Sequence, residues 1–107
     1  ARLLAGGEGL EVTAGATLNL NDTAYARVNK VRVNKSVSGV ITITLPTPSA
    51  MNNFRELLIF DAKGDAETYP ITLSGHINGS AAQTHLIEYN RGYTRLLASL
   101  STWNIIG

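Results

Sequence analysis

The residues best suited to chemistry are few. Two histidines, His76 and His85, are the only ring-nitrogen ligands, and with no cysteine in the chain any metal centre would rest on them and on carboxylates. Their separation matches neither a helical pair nor a finger-type zinc site, so both read as turn or surface residues. Asp61-Ala62-Lys63-Gly64-Asp65-Ala66-Glu67 is acidic, but a calcium loop needs oxygen at alternating positions and Lys63 occupies one of them. That run reads as a hairpin turn. Ser74-Gly75-His76 sets a nucleophile beside a base without a G-x-S-x-G elbow, and alternate residues of a strand point in opposite directions. Asp61, Asp65, Glu67 and Glu88 could supply a glycosidase pair, as the carboxylates of any acidic domain could. Tyr69, Tyr89, Tyr93 and Trp103 could hold a sugar or fill a core. Gly6-Gly7-Glu8-Gly9 lacks the lysine and the strand-to-helix context of a phosphate loop. The expectation is no enzyme and no cofactor.

The elements that must position these residues are strands. From Leu10 onward the pattern has period two, with β-branched residues between turn residues. Val40-Ile41-Thr42-Ile43-Thr44-Leu45 puts Ile41, Ile43 and Leu45 on one face. Val31-Arg32-Val33-Asn34 alternates likewise, and with Ser36-Val37-Ser38-Gly39 between them the two predict a hairpin. Val28 is out of phase with Val31, which predicts a bulge or turn at Asn29-Lys30. Pro46 and Pro48 end a strand, and Ser49 to Asn53 can make at most one helical turn. Phe54 to Phe60, Ile71 to Leu73, Thr84 to Tyr89, Tyr93 to Leu100 and Thr102 to Ile106 complete the series. Asn78-Gly79 is a turn, and the last two strands form a hairpin with Trp103 on its buried face.

The whole chain of 107 residues is one small domain, and no apolar run approaches the roughly 18 residues of a membrane-spanning helix. Leu3-Leu4-Ala5 is too short for a signal-peptide core, so nothing marks export. The expected fold is all-β, a small antiparallel β-sandwich or barrel-like domain over residues 10–107, with a flexible glycine-tethered N-terminal arm over residues 1–9. Apolar residues make up 44% and charged residues 16%, against a net charge of +1. Leu58, Phe60, Leu86, Ile87, Leu97, Leu100, Trp103, Ile105 and Ile106 are many apolar side chains for one small core, and association between copies would bury the surplus. Arg27, Lys30, Arg32 and Lys35 fall in a stretch with no acid between Asp22 and Glu56. Such a cluster serves nucleic acid, a solvated strand face, or an acidic protein surface. A sequence pI of 8.4, with only Tyr25 nearby for stacking, argues against nucleic acid.

Ile43-Thr44-Leu45-Pro46, Leu57-Leu58-Ile59-Phe60-Asp61, the Lys63-Gly64-Asp65-Ala66 turn and Tyr69-Pro70-Ile71-Thr72-Leu73 carry a family resemblance. It continues through Ile77-Asn78-Gly79, Ile87, Tyr89, Gly92-Tyr93, Leu96-Leu97 and Trp103-Asn104-Ile105-Ile106. Over residues 40–107 the chain resembles a β module of tailed-bacteriophage virions, found in tail fibres and in capsid decoration or cement proteins. The resemblance implies a non-enzymatic structural protein, commonly trimeric. The expected function is a homotrimeric decoration protein on the virion's capsid surface that binds and stabilises the major capsid protein, with no membrane or nucleic-acid partner. Leu3 and Leu4 of the arm, with Arg27, Lys30, Arg32 and Lys35, are the expected capsid-binding residues. The alternative is a tail-fibre or receptor-binding module that recognises host carbohydrate through Tyr69, Tyr89, Tyr93 and Trp103.

Overall fold

The computed structural model describes residues 8–47, 54–99 and 101–107. Within them the strands are β1 (Glu8–Val12), β2 (Thr17–Asn19), β3 (Val28–Val33), β4 (Ile41–Thr44), β5 (Glu56–Asp61), β6 (Ile71–Ile77), β7 (Ser80–Ile87), β8 (Tyr93–Ala98) and β9 (Trp103–Ile105). A single 3-10 turn spans Thr23–Tyr25, with the Asp22 carboxylate accepting from the Ala24 N–H at its start. The domain is all-β and barrel-like, one curled nine-stranded sheet.

Its winding differs from the antiparallel plan. β1, β3 and β5 lie side by side and parallel, and so do β2, β4 and β6. The chain therefore coils, laying an odd strand on one wall and an even strand on the other in each turn. Like stacks on like inside: Leu10 on Val31 on Ile59, and Leu18 on Ile43 on Leu73. Reversal comes only after the third turn, where β7 pairs antiparallel with β6, and β8 with β5. β9 closes that end, running antiparallel to β8 and meeting β6 through Ile77 opposite Trp103.

The expected hairpin between Val31-Asn34 and Val40-Leu45 does not form, because β3 and β4 stand on different walls. The N–H groups that would begin it are already used: Asn34 donates to the Val12 carbonyl at 2.8 Å and Ser36 to that of Thr13 at 2.9 Å. Nor is Asp61–Glu67 a hairpin turn, since β5 pairs with β3 and β8 and not with β6. Instead the fully buried Asp61 side chain accepts the N–H groups of Gly64 at 3.0 Å, Ala66 at 2.9 Å and Arg91 at 3.1 Å. It thereby shapes the crossing to the other wall and ties it to the start of β8.

Other local readings match. The bulge lies at Asn29: Glu8 faces Val28 and Gly9 faces Lys30, leaving Asn29 without an opposite number. That extra residue lets Val28, Val31 and Val33 all be buried. Asn78 and Gly79 both have positive φ, 50° and 88°, between paired Ile77 and Ser80, as a tight two-residue hairpin requires. β8 and β9 form the final hairpin, and the wholly buried Trp103 ring donates its Nε1–H to the Pro46 carbonyl at 2.8 Å. The arm boundary shifts, because Glu8 and Gly9 belong to β1; residues 1–7, and with them most of the expected arm, lie outside the described residues. So does the Ser49–Asn53 helical turn.

Candidate functional site

Alternation on a parallel coil makes two outer surfaces, one on each wall. On the odd wall, the register aligns Glu11, Arg32, Phe60 and Tyr93 in one outward row, and Gly9, Lys30, Leu58 and Arg95 in the next. Residues as far apart in sequence as Glu11 and Tyr93 thus come to share one row across four strands.

Of the residues expected to bind a capsid, Lys30 and Arg32 project from this wall and are exposed, and Arg27 is exposed in the turn before β3. Lys35 is not part of the surface. It is buried, with Nζ donating to the Val40 carbonyl at 3.1 Å, because the link between the walls folds over it. Leu3 and Leu4 lie outside the described residues. The basic stretch is also less isolated than its sequence suggests, since the coil brings Glu11 to within 3.7 Å of the Arg32 guanidinium. This pair is exposed and contributes little stability. Arg55 turns inward, its Nη2 donating to the carbonyls of Tyr25 and Val28, and burial lowers its pKa from the usual arginine value.

The sequence reading gave no role to Arg91 or Arg95 and took Leu58 and Phe60 only as apolar surplus. Arg91-Gly92-Tyr93-Thr94-Arg95 carries Arg, Tyr and Arg at alternate positions, a spacing that marks one side of a strand. In the fold, Leu58, Phe60, Arg91, Tyr93 and Arg95 line an open depression of about 360 Å³. A second, of about 310 Å³, is lined by Gly9, Leu10, Glu11, Lys30, Arg32 and Phe60. Phe60 stands between the two. Arg95 Nη2 lies 3.3 Å from Glu56 Oε1, and Arg91 Nη1 donates to the Ala62 carbonyl at 2.9 Å.

The four aromatics considered for sugar binding separate. Tyr69, Tyr89 and Tyr93 are exposed, whereas Trp103 is sealed in the core and cannot be a platform. Of the apolar surplus, Ile87 and Trp103 are buried, Leu58, Phe60, Leu97 and Ile105 are half-buried, and Leu86 and Ile106 are exposed; Leu100 lies outside the described residues. His85 Nε2 is 3.2 Å from the Thr94 hydroxyl. Among the described residues no group of three His, Cys, Asp or Glu side chains is placed to hold a metal ion, and no helix is long and apolar enough to cross a membrane. Compared with known families, the chain matches no family model, and no curated protein matches it in sequence.

Proposed function

We propose that this chain is a structural virion protein of a tailed bacteriophage, a homotrimeric decoration protein that clamps the capsid shell and turns over no substrate. The observation that carries the reading is the outward projection of Lys30 and Arg32 from the odd wall, where both are exposed, with Arg27 exposed in the turn before β3. Exposed cations on a broad face suit an acidic protein surface, where they steer the encounter and fix the register. The family resemblance over residues 40–107 supports the virion context. Three copies held together would multiply individually weak contacts by raising their effective concentration, and Leu3 and Leu4 would add apolar anchors.

Cosedimentation with intact shells tests this reading, with light scattering on the free protein. The expected results are a trimer in solution and saturable binding that falls with salt and with Lys30→Glu plus Arg32→Glu. A monomer that leaves shells bare would overturn it. A second reading, a fibre module that grips host carbohydrate, is favoured by the exposure of Tyr69, Tyr89 and Tyr93.

A further inference from the structure

We propose that the depression between β5 and β8 is a binding site for an acidic saccharide, a pyranose bearing a carboxylate. The proposal deepens the carbohydrate reading and rests on it, but names a place and a charge class. The floor and wall are apolar: Leu58, Phe60 and the Tyr93 ring, which is 57% exposed. Such a surface takes the C–H face of a sugar ring. The rim is cationic, with Arg91 before Tyr93 and Arg95 after it in the alternating row. Each guanidinium carries five donors, and the contacts to Ala62 and Glu56 engage one terminal nitrogen of each. The rest remain for a carboxylate, which an arginine fork meets in bidentate fashion.

The Arg91 side of the rim is held in place. Its backbone N–H is fixed on the buried Asp61 carboxylate, and its Nε lies so close over the Gly64 backbone that a Cβ there would come within 3.1 Å. Arg91 itself adopts φ 63°, a conformation uncommon for a residue with a side chain. The guanidinium therefore sits on a fixed backbone rather than on a free loop.

Other anions fit less well. A nucleic-acid strand needs a continuous run of cations, and Glu11 and Glu56 interrupt this wall. A run of acidic residues such as polyglutamate would bring carboxylates but no ring to pack on Tyr93. The depression, about 360 Å³ and open to solvent, offers one face of a sugar ring a surface to rest on and does not enclose it.

The test is calorimetric titration of the full chain with short oligogalacturonides, with dextran oligomers of equal length and with polyglutamate. The oligogalacturonide is expected to bind, and dextran and polyglutamate are not. Tyr93→Ala and Arg95→Ala should each weaken binding by about tenfold, through the loss of one ring-packing contact and of one charge-assisted contact respectively. Thr44→Ala, on the opposite wall, should leave it unchanged. Equal binding of polyglutamate, or indifference to Tyr93→Ala in a variant with wild-type circular dichroism, would overturn the proposal. Binding of dextran alone would overturn it while leaving the carbohydrate reading standing. Failure of a glycan array and of all three probes would overturn both.

Discussion

The two walls of the coil have almost the same interior and opposite exteriors. Inside, both are stacks of Val, Ile and Leu. Outside, the even wall presents Thr17, Thr42, Thr72 and Leu86 in one row, and Asn19, Thr44, Ser74 and Thr84 in the next. The odd wall presents glutamate–arginine pairs around Phe60 and Tyr93. Threonine is a good strand former, and aligned hydroxyls satisfy one another or water at little cost. The even wall needs nothing more than that to be a stable, solvated surface. Charges, aromatic rings and depressions are costlier to display, and the described outward rows concentrate them on the odd wall. Two walls that share one folding logic thus separate the residues that keep the sheet in register from those free to serve recognition.

Trp103→Ala should erase this contrast by loosening both walls together, because β9 joins β8 to β6. The expected loss is about 4 kcal/mol in urea unfolding, the usual cost of emptying a buried aromatic site. Asp61→Ala should act next most strongly and on one wall first. Leaving the buried Ala66 N–H and the part-buried Gly64 and Arg91 N–H groups without an acceptor costs about 3 kcal/mol, and hydrogen exchange should speed at these three before it does on the even wall. Charge reversal at Lys30 and Arg32 sharpens the comparison from the other side. Stability should move by less than about 0.5 kcal/mol, while salt-sensitive adsorption to shells disappears. Thr42→Val is the smallest step: a change within about 0.5 kcal/mol in thermal unfolding and none in adsorption. An even-wall substitution that abolished adsorption would reverse the assignment of the two surfaces.

Much of this was legible in the residues. Period-two alternation identified the strands, Val28 out of phase with Val31 located the bulge, Asn78-Gly79 named its turn, and Trp103 fell on a buried face. The order of pairing was not legible. Alternation states which side of a strand is covered but not which strand lies beside it, so β3 and β4, adjacent in sequence and similarly patterned, read as a hairpin. That mistake hid the rest. Without the coil, nothing brings Glu11 to Arg32 or sets Arg95 in Lys30's row, and nothing shows that Lys35 lies under a crossing between walls. Trp103 was open to both a core and a sugar role because a ring's chemistry suits either, and only its depth decides.

The stacked turns also give the molecule a free variable. In a coil of parallel strands each winding rests on the one before and the one after, so cohesion is a sum of nearest-neighbour terms. Duplicating one odd–even unit would lengthen the body by a single strand spacing, about 4.8 Å, and leave the β8–β9 closure as it is. Length along the winding axis can therefore change in evolution, or by design, in quantised steps that leave the capped end untouched.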